Sequence, residues 1–179
     1  MKRLSLLLTM LVTFACSSVY AQFTQAQFVG EFTRAKAYTK AYTKAYLDAM
    51  PADGYAFKPT PQMRNFAQQM LHLADANYFF CSTGSGKPSP LGKGVSVEKT
   101  VAQTKEATTK AVMDSYDFAI STLQGMTPAQ LQETIKFAGK DLERFQLFGK
   151  GFEHQTHHRG QTTVYLRLKG VTPPPEMLF

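Results

Sequence analysis

The stretch His154-Gln-Thr-His-His-Arg-Gly-Gln161 contains three of the four histidines in a chain of 179 residues. Because a helix turns by about 100° per residue, His154 and His158 project from one helical face, one turn apart. The fourth histidine, His72, lies on another predicted helix. Two imidazoles joined by a third from a neighbouring helix can bind a metal ion and leave a coordination position open, whereas structural zinc sites usually have four protein ligands. The pattern therefore predicts a reactive metal site.

Residues 1–21 have the features of a secretion signal. A short basic start is followed by the apolar run Leu4 to Ala15, which is too short to span a membrane comfortably. The small residues that end at Ala21 predict cleavage after that residue, and lipid attachment at Cys16 is the alternative. We therefore expect an exported protein, periplasmic or secreted, whose single domain comprises residues 22–179.

The mature chain is mildly basic. The full sequence has 20 Lys+Arg and 13 Asp+Glu, and the signal contains two of the basic residues and no acidic ones, so the mature balance is 18 − 13 = +5. These charges are spread along the chain without a dense basic block, which does not favour binding to nucleic acid. Cys81 is the only cysteine of the mature chain, and its phenylalanine neighbours predict a buried thiol.

Helical periodicity, caps and breakers predict four long helices, and hence an all-α four-helix bundle. The predicted helices are Gln22–Met50, then one from a Thr60 cap to Cys81, one from a Ser96 cap to Leu123, and one from an Asp141 cap to Lys169. Ser82–Val95 is predicted to be a loop. Gly125 should end the third helix, and a Thr127 capping box should start a short helical turn before the extended segment Glu133–Phe137.

Two further patterns concern packing. A four-residue repeat aligns Tyr38, Tyr42 and Tyr46 in one stripe of the first helix, which favours half-buried packing; the alternative is a hydroxyl group that reaches a central cavity. Glycines at 149, 151 and 160 weaken the last helix, and they predict the close approach of a neighbouring helix or a ligand.

The segment Glu153-His-Gln-Thr-His-His-Arg-Gly-Gln161, followed by Tyr165-Leu-Arg-Leu-Lys-Gly170 and prolines, resembles the DinB-like family. The segment Met70-Leu-His-Leu-Ala-Asp-Ala-Asn-Tyr78 resembles it as well, and the likeness extends from Phe23 to Pro175. The resemblance implies a bundle of up-down-down-up topology that holds a divalent metal through three histidines. It also makes a homodimer plausible, although no residue fixes the oligomeric state.

Carried onto this sequence, the family's ligands are His72, His154 and His158. Zinc is the expected ion because imidazole suits it, and nickel, iron and copper are alternatives. His157 projects about 60° away from the axis of the ligand pair and is not included. Gln161 follows one turn after the ligands, where it could orient a ligand or a bound water.

Members of the wider superfamily include enzymes that join small thiols to electrophiles and metal-dependent hydrolases. The resemblance thus implies a hydrolase or transferase acting on an unknown small-molecule substrate. The alternative is a non-catalytic module in which the metal binds a ligand or only links two helices. Asp75 and Glu153 neighbour the histidines but do not share their faces, so neither is assigned a catalytic role.

Overall fold

The computed structural model describes residues 30–177, apart from 32, 34 and 38. The predicted signal 1–21, Cys16 and the start of the first helix lie outside the described residues. The elements are helix α1 over 30–49, a 3-10 turn Ala52–Gly54, helices α2 Phe66–Ser85, α3 Val97–Thr100, α4 Lys105–Gln124 and α5 Pro128–Gln132, strands β1 Thr134–Phe137 and β2 Lys140–Glu143, and helix α6 Arg144–Leu168. The prediction of an all-α helical bundle is confirmed, with one small antiparallel hairpin added between α5 and α6.

Helix α2 lies at the centre of the bundle and packs against both α4 and α6. It buries residues around most of its circumference, as expected for a helix with neighbours on several sides. The main core includes Leu47, Phe66, Leu71, Tyr116 and Tyr165. None of the described helices is long and apolar enough to cross a membrane.

The predicted limits of α2 are wrong at both ends. The helix begins after Asn65 rather than Thr60, because the Asn65 side chain accepts a hydrogen bond from the Gln68 amide at 2.7 Å, and the Gln68 side chain accepts one from the Asn65 amide at 3.0 Å. Thr60 lies in a turn instead. The helix continues past Cys81 to Ser85, where Gly86 adopts a left-handed φ of 74° and ends it.

The predicted third helix is divided into α3 and α4. The hydroxyl group of Ser96 does not cap α3 but donates to Asp75 Oδ2 at 2.6 Å. The Asp75 carboxylate, which projects from α2, takes the place of the cap and accepts hydrogen bonds from the Val97 and Glu98 amides at 2.7 and 3.2 Å. Helix α4 then has its own cap, Thr104. These three hydrogen bonds of the Asp75 carboxylate, called the Asp75 tie, hold α3 against α2.

The segment after α4 follows the prediction until the last helix begins. Gly125 ends α4, Thr127 forms the capping box of α5, and the extended segment is present as β1. Asp141 is not a helix cap, because it lies in β2 and pairs with Lys136 at 2.8 Å. Helix α6 begins after Glu143, which forms a capping box with the side chain at position 146.

Glycine at position 151 allows the close packing of α2 and α6. A Cβ atom there would lie 2.9 Å from Phe80 Cβ, so the predicted close approach is confirmed at Gly151, whereas the Gly149 and Gly160 positions are open. Cys81 is 2% exposed, which confirms its predicted burial. Tyr42 and Tyr46 are also buried, and Tyr38 is not among the described residues.

Polar side chains are buried where α1 meets the other long helices. The ammonium group of Lys36 donates to Gln155 Oε1 at 2.9 Å and lies 3.5 Å from Asn77 Oδ1. The guanidinium of Arg159 lies 4.3 Å from the centre of the Tyr42 ring, a favourable cation–π contact. The bundle therefore contains buried positive charges close to the histidine-bearing segment of α6.

Candidate metal centre

The structure brings His72 on α2 together with His154 and His158 on α6. One ring nitrogen of each histidine lies within 4.8 Å of the others. The ring centroids of His154 and His158 are 4.4 Å apart, and those of His72 and His158 are 4.6 Å apart. One turn of α6 and the facing turn of α2 thus position three imidazoles around a common point.

The outer ring nitrogens of two of these histidines have polar partners. His72 Nδ1 lies 3.1 Å from Glu98 Oε2, and His158 Nδ1 lies 3.1 Å from Gln69 Oε1. When each Nδ1 donates to these oxygens, the tautomer and ring orientation are fixed and Nε2 keeps its lone pair for a metal. This hydrogen bonding to a carboxylate or an amide is typical of metal-binding histidines.

A second set of side chains holds these partners in place. Arg64 Nε donates to Glu98 Oε1 at 2.7 Å and balances the charge of the carboxylate. The amide of Gln69 donates to Gln161 Oε1. Gln161 therefore does not directly contact the three clustered imidazoles, which is the contact predicted for a residue that orients a ligand. It contacts Gln69, and Gln69 in turn contacts His158.

His157 lies outside the cluster, as the helical-face argument predicts. Its side chain is exposed, and its Nε2 lies 2.6 Å from Gln161 Nε2. It therefore does not join the three converging imidazoles, and its contact with Gln161 is at the rim of the site.

Burial and neighbouring imidazoles keep the two α6 histidines neutral. Desolvation is the largest cause that lowers the pKa of His158, to about 3, and the nearby His154 and His72 rings lower it further. Desolvation is also the largest cause that lowers the pKa of His154, and the nearby His72 and His157 rings lower it further. Both rings are therefore neutral at pH 7, which is the protonation state that a metal requires.

His154 has an unsatisfied polar atom. Within the described residues its Nδ1 is buried and has no hydrogen-bond partner. Such an atom destabilises the site by roughly 1–3 kcal/mol unless a ligand pairs with it. Together with the all-imidazole donor set, this orphaned nitrogen fits a site that binds an ion.

The carboxylates near the cluster are engaged in other contacts. Asp75 accepts three hydrogen bonds from the α3 segment, and Glu153 pairs with Lys150 at 3.0 Å. Glu98 contacts the outer nitrogen of His72, on the ring edge away from Nε2. Asp75, Glu98 and Glu153 are therefore not positioned to act as a general base on the side of the imidazoles where a metal would bind.

Sequence reasoning missed Gln69 and Glu98. Gln69 precedes His72 by three residues on the same face of α2, so helical spacing could have indicated it. Glu98 gave no such signal, because its position depends on the break between α3 and α4 and on the tie to Asp75. That tie joins residues more than twenty positions apart in sequence.

Clefts formed by the described residues open beside the cluster, and three of them are considered for ligand access. One of about 400 Å³ is lined by Arg64, Gln69, Glu98 and Gln161, among others. A second of about 550 Å³ includes His72 in its wall, and a third of about 350 Å³ lies against His154 and Phe80. Small molecules can therefore approach the imidazoles from more than one side.

The fold and the three converging histidines define a helical bundle with a candidate site for a divalent metal. Residues 37–162 match the DinB superfamily, and the chain belongs to this superfamily. This match confirms the resemblance found in the histidine segments, and it includes all three candidate ligands.

Solved structures of DinB-like proteins have the same fold. The DinB-like protein from Bacillus cereus ATCC 10987 is 21% identical and superposes with a TM-score of 0.68 over 81% of this chain and 95% of its own. The DinB-like protein YjoA from Bacillus subtilis is 17% identical, with a TM-score of 0.70 over 83% of this chain and 98% of its own. At these identities the likeness establishes the fold alone.

A curated relative matches only a segment. The uncharacterized protein YrdA of Bacillus subtilis (strain 168) is 44% identical over 48 residues, which are 27% of this chain and 29% of YrdA. The matched segment thus spans less than one third of the relative.

Proposed function

We propose that this protein is exported and binds one divalent ion, zinc, through His72, His154 and His158. The observation that carries the proposal is the convergence of three imidazoles, two of which are held at their outer nitrogen by Glu98 and Gln69. Zinc accords with an all-imidazole donor set, and nickel, iron and copper are the alternatives.

We infer a metal-dependent hydrolase or transferase that acts on a small molecule. An ion held by three protein ligands supplies a Lewis acid with an open position for water or substrate. The chain itself orients His72 through Glu98, orients His158 through Gln69, and provides clefts that lead to the imidazoles. Export favours hydrolysis over thiol transfer, because reduced small thiols are scarce in oxidising compartments.

A non-catalytic metal-binding or ligand-binding module is the second candidate. It is favoured by the engagement of Asp75, Glu98 and Glu153 in other contacts, which leaves none of the three positioned to accept a proton. The two candidates differ in whether turnover occurs, so activity assays can distinguish them.

The metal assignment is tested by elemental analysis and zinc titration of four alanine variants. Replacing any one of His72, His154 or His158 should lower zinc affinity by about two orders of magnitude or more, because two ligands remain. The His157→Ala variant is the matched control and should bind zinc as the wild type does. Loss of binding in the His157→Ala variant alone, or no binding by the wild type at neutral pH, would contradict the assignment.

Catalysis is tested by incubating the zinc-loaded protein with a panel of esters, lactones, amides and thiol-conjugation substrates. Turnover that disappears in the His158→Ala variant supports the enzyme, whereas zinc binding without any turnover favours the module. The intact mass of the exported protein tests the signal: we expect a chain that begins at Gln22, and a lipid-modified start at Cys16 would support the alternative.

A further inference from the structure

The cleft between α2 and the segment 86–99, named the loop cleft here, opens beside His72. Its volume of about 550 Å³ is in the range of small-molecule sites. Its wall combines three kinds of side chain: cationic Arg64, Lys93 and Lys99, acidic Asp75 and Glu98, and apolar or aromatic Tyr78, Phe79, Leu91 and Val95.

The acidic side chains of the loop cleft already have hydrogen-bond or ion-pair partners within the protein. Asp75 accepts hydrogen bonds from two backbone amides and one hydroxyl group, and Glu98 is paired with Arg64 and His72. Lys93 and Lys99, in contrast, are exposed and form no ion pair within the part of the chain that the structure describes. The loop cleft therefore has an uncompensated positive charge, to which an ion bound by neutral imidazoles would add.

The loop cleft also has an apolar surface in contact with water. Phe79 is 52% exposed and Val95 is 48% exposed, whereas most large hydrophobic side chains in the described part of the chain are covered. The Phe79 ring packs against Phe80 and Phe137, whose centroids lie 5.3 and 6.0 Å away. An exposed aromatic surface beside unpaired cations complements a ligand that has an apolar body and an anionic group.

We propose that the loop cleft binds the substrate of the metal centre, and that this substrate is a small apolar molecule with one anionic group, a carboxylate or a phosphate. Lys93 and Lys99 attract the anionic group, while the exposed Phe79 and Val95 side chains contact the apolar body. The inference deepens the proposed function and rests on it for the reactive step, since His72 belongs to the same wall and places the bound molecule beside the ion.

Calorimetric titration with octanoate tests this inference, with octylammonium and acetate as matched probes that lack the negative charge or the chain. Zinc-loaded protein should bind octanoate at least tenfold more tightly than either control. The Lys93→Glu/Lys99→Glu double variant should weaken octanoate binding about tenfold, because two attractive charges become repulsive. Lys58→Glu is the control, since Lys58 is exposed but lines none of the three clefts. Octyl phosphate in parallel shows which anionic group fits better.

Equal binding of octanoate and octylammonium would overturn the inference, and so would unchanged octanoate binding in the double variant. Octanoate binding that requires zinc but ignores both lysines would show that the ion alone holds the carboxylate, which also overturns it. Zinc content is measured on the same samples. A protein that binds no zinc but prefers octanoate through the lysines would refute the metal proposal and retain the anion-binding cleft, so the two failures can be told apart.

Discussion

Replacing Lys36 with methionine removes a positive charge from the interior of the bundle. The Lys36 side chain is only 1% exposed, and its ammonium group lies between Gln155 and the rings of Tyr116 and Phe152, 5.9 and 5.7 Å from their centroids. Desolvation is the largest cause that lowers its pKa from 10.5 to about 8; Cys81 opposes this effect and Arg159 adds to it. Methionine has a similar shape and no charge.

The lowered pKa makes stability depend on pH in a defined direction. Between pH 8 and 10.5 the unfolded chain keeps a proton on this lysine that the folded chain has released, so the free energy of unfolding rises with pH. The full shift of 10.5 − 8 = 2.5 units corresponds to about 3 kcal/mol. Between pH 7 and pH 9.5, about 2 kcal/mol of that gain should be realised.

Urea unfolding at pH 7 and pH 9.5 measures this contribution. The wild type should gain about 2 kcal/mol relative to the Lys36→Met variant over that interval. Lys44→Met, on the same helix but exposed, is the control and should follow the wild type. Burial raises the pKa of the Cys81 thiol to about 11, which lowers stability above pH 9 in all three proteins. Lys36 lowers that pKa, so its removal only raises it further; the folded thiol stays protonated at pH 9.5 in each protein, and its contribution nearly cancels. An identical pH dependence in wild type and Lys36→Met would refute the buried-charge argument.

Three further predictions concern the site and the packing of α2. Glu98→Ala and Gln69→Leu should each lower zinc affinity by roughly 10–100-fold, because they remove the hydrogen-bond partners of His72 Nδ1 and His158 Nδ1. Zinc titration measures this effect, and Glu106→Ala, at an exposed position, is the control. Gly151→Ala should lower the free energy of unfolding by about 1–3 kcal/mol through its contact with Phe80, whereas Gly149→Ala, in an open position, should raise it by about 0.5–1 kcal/mol. Urea denaturation of both variants tests that contrast, and equal effects would show that α2 and α6 can separate freely. Cys81 should react slowly with a thiol reagent in the native protein and quickly in urea, since the side chain is 2% exposed; rapid native labelling would contradict its burial.

Features that depend on local sequence were predicted well. The shared face of His154 and His158, the stop at Gly125 and the capping box at Thr127 follow from helical geometry and from side chains three or four residues apart. No distant residue is needed to produce them. The same holds for the extended segment that became β1.

Helix starts were predicted poorly where two local signals competed. Thr60 with Pro61 is a good cap in isolation, but Asn65 and Gln68 form a reciprocal capping box a few residues later. Glu143 likewise prevails over Asp141, which pairs across the hairpin. In both cases the capping box forms two reciprocal hydrogen bonds between side chains and backbone amides, whereas an isolated cap residue forms only one.

The break between α3 and α4 could not be predicted from neighbouring residues at all. Ser96 has the composition of a cap, yet its hydroxyl group is bonded to Asp75 on another helix. The carboxylate that orients His72 is positioned only by this tertiary contact. Helical spacing therefore predicted the shared face of the candidate ligands His154 and His158, whereas it could not predict Glu98 as the partner of His72.

Because the amides of Val97 and Glu98 donate to Asp75, their hydrogen exchange depends on the contact between α3 and α2. Their hydrogens are protected only while α3 stays against α2, and Glu98 faces His72 only in that arrangement. Local opening of this segment would expose both amides to solvent exchange and release the imidazole at the same moment. Hydrogen exchange at these two amides would thus report how often Glu98 and His72 are in contact, independently of any measurement of metal binding.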